Sequence, residues 1–359
     1  MREFLTTQQV IEAARVNLSQ AAWAYLVGAS ESETTMRRNR LAFDKWGFVP
    51  RVLVDVSEID TRSTLLGRDL RMPVILAPIG SMQHLSPDGA LSFAKAAEQY
   101  GTMMSMSIMT PPSMEEVAAH ASGPKIFQLY MQGDLDWAAD VLSRVKASGY
   151  DAVCLTVDTP YHSMRDRSIL NPMPGRLPGN RGHSGPNYLA SLTWESIPRL
   201  MELAGLPFII KGIVNPQDAK RAAGLGVAAV WVSNHGGRQL DQVVGTMDML
   251  PRIVEAVDGR SEIILDGGVL RGTDVLKALA LGANAVAIGK LQGWGMAAGG
   301  VEGLVKTLEL LESEVRMAMA LLGVTNVSEM KPALVEPASP VLTPHEMSMW
   351  VDLAENRLT

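Results

Sequence analysis

Eight short apolar runs of β-type composition punctuate the chain at Val74–Gly80, Thr102–Ser107, Lys125–Leu129, Asp151–Thr156, Pro207–Gly212, Ala229–Ser233, Glu262–Asp266 and Ala285–Gly289. Between them lie stretches such as Asp88–Gln99, Ser113–His120 and Asp134–Ala147, whose apolar residues recur every three or four positions, the period of an amphipathic helix. Strands that are apolar along their whole length have to be covered on both faces, the condition of a parallel sheet flanked by helices. Eight such units favour closure over an open sheet. The expected fold is therefore α/β, a (β/α)8 TIM barrel. Ser113 followed by Glu116 adds the spacing of a capping box at one helix start.

What flanks the eight units fits one domain over residues 1–359. Residues 1–70 read as an N-terminal helical cap and lead-in, 71–325 as the barrel and 326–359 as a C-terminal tail. Val301–Leu322 reads as a long closing helix, and the tail from Lys331, with four prolines, reads as extended. Arg165 to Tyr188, rich in Pro, Gly, Asn and Arg, reads as a mobile soluble loop rather than a membrane-binding insertion. A 47% hydrophobic content supplies a sizeable core, and a net charge of -6 provides no basic field for nucleic acid. The first residues lack the apolar core of a signal peptide, and no apolar stretch approaches the length of a membrane span, so a cytoplasmic location is expected. The single Cys154 lies inside an apolar run, where it packs rather than reacts.

The strand ends carry polar side chains that a core does not need. Tyr130 follows the third run, Asp158 and Arg165 follow the fourth, Lys211 lies near the end of the fifth, and His235 and Arg238 follow the sixth within Ser233-Asn234-His235-Gly236-Gly237-Arg238-Gln239-Leu240-Asp241. Chemistry in α/β barrels sits at these carboxyl ends. A histidine is readily poised as a base near neutral pH, an arginine grips a carboxylate with two prongs, and the glycines leave room for a flat ligand.

The Ser233–Asp241 string resembles the active-site motif of the flavin-dependent α-hydroxy-acid oxidases and dehydrogenases, the family of glycolate oxidase, lactate oxidase, mandelate dehydrogenase and lactate monooxygenase. The resemblance extends over roughly residues 5 to 325. Tyr25-Leu26-Val27-Gly28-Ala29-Ser30-Glu31 is similar to the family's Tyr-x-x-Gly-Gly-Ala-Glu pattern, with Ala29 in place of the second glycine. The resemblance implies an FMN enzyme that oxidises a 2-hydroxy acid to the 2-keto acid, with oxygen or another carrier reoxidising the flavin, in a homotetramer. It makes His235 the base and Asp158 the stabiliser of its imidazolium. Arg165 and Arg238 would clamp the carboxylate with help from Tyr25, and Tyr130 would hydrogen-bond the substrate oxygen. Pro78, Ile79, Gly80, Ser107, Gln128 and Thr156 match positions that line the flavin ring, and Lys211 matches a lysine that stabilises negative charge on it. Ser233, Asp266, Gly267, Gly268, Arg271, Gly289 and Lys290 complete the expected cofactor contacts, the last five from loops that hold a phosphate in many flavin barrels.

The pattern breaks at two places. Leu270 stands where the family has a phosphate-binding arginine, with Arg271 one residue later, and the last run ends in Gly289-Lys290 rather than Gly-Arg. Losing one charge-assisted contact costs about 1.5–3 kcal/mol, so weaker FMN phosphate binding is expected unless Arg271 swings in. Gly80 stands where several oxidases of the family have alanine, which leaves oxidase, dehydrogenase and monooxygenase chemistry all open. Ile108, Met109, Met131 and His162 are expected at the substrate pocket; Met109 replaces a larger aromatic and points to a substrate bulkier than glycolate. His162 reads equally as a specificity residue or a solvated loop histidine. The competing readings are an oxidative decarboxylase of the lactate-monooxygenase kind and a non-catalytic flavin barrel used for binding.

Overall fold

The computed structural model describes residues 4–173 and 187–339. Eight parallel strands form a closed barrel: β1 Val74–Leu76, β2 Met104–Ser107, β3 Lys125–Leu129, β4 Ala152–Thr156, β5 Phe208–Ile213, β6 Ala229–Val232, β7 Glu262–Leu265 and β8 Ala285–Ile288. Consecutive strands pair throughout, and β8 closes onto β1 through Val286–Val74, Ala287–Ile75 and Ile288–Leu76. The first strand stops short of its apolar run because Pro78 cannot donate to a ladder. The helices between strands are α1 Ala90–Tyr100, α2 Met114–His120, α3 Leu135–Ala147, α4 Ile197–Ala204, α5 Pro216–Gly224, α6 Thr246–Val257 and α7 Gly272–Ala280. At α2 the Ser113 side chain accepts from Glu116 N at 3.2 Å, the forward half of the expected box.

Side chains alternate across each strand, as the pleat requires. Ile75, Ile126, Cys154, Ile209, Trp231 and Ile264 fill the barrel interior, while Leu76, Phe127, Val153, Ile210, Val230 and Leu265 join the larger core under the helices. The hairpin Ser63–Leu65/Arg68–Leu70 presses Leu65 and Leu70 into the interior cluster. Toward the carboxyl ends the inward positions change character. Ser107, Gln128, Thr156, Lys211, Ser233 and Asp266 are all buried there. A buried polar layer costs free energy unless something satisfies it, so this end of the barrel is the place to look for a ligand.

The expected closing helix is the second half of α8, Lys290–Leu322, which is broken by non-helical backbone at Gly299 and Gly300. Helix Thr7–Asn17 packs along α8, and helices Gln20–Val27 and Thr34–Asp44 lead toward the carboxyl-end face. Two readings need correction. The tail from Lys331 is not simply extended: it makes a 3-10 turn at Pro332–Leu334, and Val335–Pro337 then pairs antiparallel with Trp46–Phe48; residues 340–359 lie outside the described residues. Nor is Arg165–Tyr188 wholly loop. Asp166–Leu170 is helical and is tied down by Arg167 to Glu33 at 2.7 and 2.8 Å. The glycines and prolines further along concealed it; residues 174–186 lie outside the described residues. Among the described residues no helix is long and apolar enough to cross a membrane.

Candidate active site

After β6 the chain turns at once. His235, Gly236 and Gly237 have φ of 60, 63 and 77°, a left-handed run that costs a non-glycine residue about 1–3 kcal/mol and is held only where the surroundings enforce it. Ser233 Oγ accepts the His235 amide at 3.0 Å. A Cβ on Gly237 would lie 2.6 Å from Met36 N, so glycine is required where helix Thr34–Asp44 packs on the turn. Asn39 of that helix exchanges two side-chain amide bonds with Asn234, at 2.9 and 2.8 Å.

His235 Nδ1 lies 3.0 Å from Asp158 Oδ1. The carboxylate fixes the proton on that nitrogen and leaves Nε2 as the one that can accept. Burial draws the imidazole below its ordinary pKa, and the Asp158 charge only partly opposes it. Asp158 is itself pushed up by burial, but His235 and Lys211 together hold it below the usual carboxylate range. It also needs the absence of a side chain at Gly212, whose φ is 107° and whose Cβ would lie 2.7 Å from Asp158 Cβ.

Two arginines meet beside this pair. Arg238 Nη1 donates to the Tyr25 and Gly28 carbonyls at 2.6 and 2.7 Å, and its guanidinium lies 4.8 Å from the Tyr25 ring centroid. Arg165 Nε donates to the Arg238 carbonyl at 2.9 Å, and its Nη2 to Gln239 Oε1 at 3.1 Å. The Tyr25 hydroxyl donates to Gly80 O at 2.7 Å. Tyr130 is pushed up to about 12 by burial and then by the Asp158 charge, so its hydroxyl keeps its proton and can donate.

Deeper in the barrel, Lys211 Nζ bonds Asp266 Oδ2 at 3.0 Å and Ser233 Oγ at 2.7 Å. Burial alone would lower its pKa, but Asp266 and Asp158 outweigh it and the lysine stays charged. Ser107 donates to Gln128 Oε1 at 2.6 Å, which leaves Gln128 Nε2 buried without a protein partner; Thr156 Oγ1 is in the same condition. Orphaned polar atoms of this kind at adjacent strand ends call for a ligand with acceptors and donors along one edge. The pyrimidine edge of an isoalloxazine meets that requirement, and a charged lysine nearby suits a ring that gains negative charge. The residues present fit a flavin.

These groups surround one cavity of about 560 Å³. Tyr25, Pro78, Ile79, Gly80, Ser107, Met109, Tyr130, His162, Arg165, Lys211, His235, Arg238, Asp266, Gly267, Gly268, Gly289 and Lys290 all line it, as the sequence leads one to expect. Gln128, Ser233 and Asp158 stand directly behind that wall through the bonds just given, and Thr156 stands beside Lys211 in the neighbouring strand. Met131 lines the cavity too, whereas Ile108, expected beside it, packs against the hydrophobic core and is absent from the wall; Arg271 also departs from expectation. Its guanidinium pairs with Glu314 at 2.9 and 3.1 Å, and Arg271 is absent from the cavity wall; Glu314 also accepts the Gly272 amide, so the pair caps α7. Sequence reasoning missed Asn39, Arg40, Gln132 and Tyr188, which also line the cavity. The available signal was a polar pair, Asn39-Arg40, just before Leu41-Ala42-Phe43 in a helix; only its near-complete burial shows that it serves the site.

Residues 14–337 match a family of FMN-dependent dehydrogenases. The chain is 38% identical to a 2-hydroxyacid oxidase of Dictyostelium discoideum, with 92% of this chain and 90% of that protein covered. It is 40% identical to an L-lactate oxidase of a Nostoc strain, with 88% and 93% covered. Among solved structures, mandelate oxidase with (S)-2-phenylpropionate superposes with a TM-score of 0.86 at 35% identity, covering 95% of this chain and 100% of the other.

Proposed function

The chain belongs to the FMN-dependent dehydrogenase family, and from that premise we propose that it oxidises a 2-hydroxy acid bulkier than glycolate to the 2-keto acid, with molecular oxygen as electron acceptor. The observation that carries this reading is the convergence of a carboxylate-backed histidine and two arginines on one cavity with buried, unsatisfied flavin-type donors. Bound FMN supplies the two-electron acceptor that no side chain provides.

Arg165 and Arg238 bind the substrate carboxylate, and their mutual link fixes the spacing of the clamp. Tyr130 donates to the substrate oxygen and orients the α-carbon, while Tyr25 steadies the clamp with its ring against the Arg238 guanidinium. His235 Nε2 takes the proton, and Asp158 stabilises the resulting imidazolium across 3.0 Å. Because burial keeps the free imidazole neutral near pH 7, the base is ready before substrate arrives. Lys211 holds a fixed positive charge on the floor of the site. Met109 and His162 border the substrate end, where methionine leaves more room than an aromatic ring.

The names of the relatives support the hydroxy-acid class and the use of oxygen. A homotetramer in the cytoplasm remains part of the proposal. The exposed apolar residues Val52 and Leu53 are consistent with assembly, and light scattering in solution tests it. The deciding experiment is anaerobic stopped-flow with FMN-loaded protein and a panel of L- and D-2-hydroxy acids, followed by air. Bleaching by a bulky acid and rapid recolouring are expected, and His235→Ala abolishes the bleaching. A loaded flavin that no acid on a broad panel bleaches refutes the reading.

A further inference from the structure

Two inward-facing residues of neighbouring strands meet beneath the floor of the cavity. Lys211 of β5 stands opposite Trp231 of β6 in the strand register, and its Nζ lies 5.4 Å from the centroid of the indole ring. Trp231 is wholly buried and belongs to the cluster that fills the barrel. It has room there because Ala77, Ala152, Ala229, Ala285 and Ala287 of the same cluster are small. Its Nε1 is buried without a protein partner among the described residues. An orphaned N–H is costly, and an aliphatic or phenyl side chain would fill a barrel without it, so the face of the ring rather than its polar edge is what serves the site.

An ammonium has three hydrogens to donate. Asp266 Oδ2 takes one at 3.0 Å and Ser233 Oγ another at 2.7 Å. An aromatic face attracts the charge electrostatically and takes none. One N–H is therefore left for whatever occupies the cavity, whose wall Lys211 forms in part. A hydrogen-bonding side chain in place of Trp231 would compete for it. We infer that Trp231 is a positioning residue for Lys211: its ring carries the ammonium from beneath without using a hydrogen, so that the third N–H stays turned into the cavity and the charge favours the reduced, more negative flavin over the oxidised one. The inference rests on the flavin placement used above. An ammonium on a desolvated indole face is worth on the order of ten- to thirtyfold in an equilibrium constant, which bounds the effect.

The test measures the two-electron midpoint potential of FMN-loaded, full-length protein, with the thermal midpoint beside it. Trp231→Leu should make reduction about tenfold less favourable, a fall of roughly 30 mV, and Trp231→Phe, which keeps a weaker ring, should fall less. Lys211→Met should lower the potential at least as far, and adding Trp231→Leu to it should change nothing more, because the tryptophan acts only through the lysine. If Trp231→Leu does not fold, Trp231→Met, an adaptable filler of core gaps, takes its place. A potential that stays put in the leucine or methionine variant while the thermal midpoint drops overturns the inference and leaves Trp231 a filler of space. So does an equal fall in the phenylalanine and aliphatic variants, or a second, additive fall on the Lys211→Met background. Failure of the unmodified protein to take up FMN refutes the placement itself, a different failure from an unmoved potential.

Discussion

Replacing Asp158 by asparagine removes one charge from the site and almost nothing else. Asparagine has the same outline, fits against Gly212, and still offers an oxygen to His235 Nδ1 at the observed 3.0 Å. What disappears is the interaction of a carboxylate with an imidazolium in a largely dry setting, since the two side chains are 14% and 20% exposed. A hydrogen bond to a charged group contributes about 1.5–3 kcal/mol, or roughly ten- to 150-fold in rate when the charge exists only after proton transfer. The expected result is a loss of that size in the rate of flavin bleaching at saturating substrate, with flavin affinity unchanged. The pH dependence supplies a second readout with a definite sign. In the unmodified protein His235 sits below its ordinary value because of burial, so kcat/KM should be flat through neutrality and fall only as pH drops through that lowered pKa. Asp158 raises the histidine's pKa, so its removal moves the acid limb to still lower pH. Histidine-selective NMR follows the same titration without substrate. Bleaching within twofold of the original rate, or an acid limb displaced upward, would refute the assignment of Asp158 as the charge that stabilises His235.

Arg165→Met should raise KM for the hydroxy acid by about ten- to a hundredfold, the value of one charge-assisted contact, with the fold intact by circular dichroism. Gly80→Ala should exclude the bulkiest substrates first. The new methyl would lie 3.3 Å from Met109 Cβ and 3.7 Å from the Tyr25 hydroxyl, so kcat/KM should fall severalfold for large acids and little for small ones. Arg271→Ala should leave the FMN Kd unchanged, because its partner is Glu314; its ion pair is 41% exposed on the arginine side, and the thermal midpoint should reflect a loss of only about 0–1 kcal/mol.

Fold and chemistry were legible to different depths. The barrel was readable because each strand is a local run and each helix a local period, so no long-range information was needed to count to eight. The catalytic groups were readable because strand ends are also local: His235 and Lys211 appear within three residues of where their strands terminate. What could not be read was anything set by a partner distant in sequence. Arg271 looked available for phosphate because Glu314 lies 43 residues away. Nothing local marks Asn39 and Arg40, because the turns they touch lie 195 and 228 residues on. The helix at Asp166–Leu170 was hidden by the composition of its neighbours, and no local rule predicts its anchor on Glu33, 134 residues back.

The docking of helix Thr34–Asp44 on the His235 turn also bears on how an active molecule comes into being. The helix emerges early in synthesis, yet its buried contacts with Asn234, Gly268 and Asp274 need residues some 195 to 234 positions further along the chain. Contacts of such sequence separation form late, after the entropy of closing a very long loop has been spent. A nascent barrel still missing its seventh and eighth strands therefore lacks Asp266, the partner of Lys211, and the Gly268 and Asp274 contacts that fix this helix. The opening free energy of that segment, read by amide hydrogen exchange, sets a limit on how long the assembled site survives.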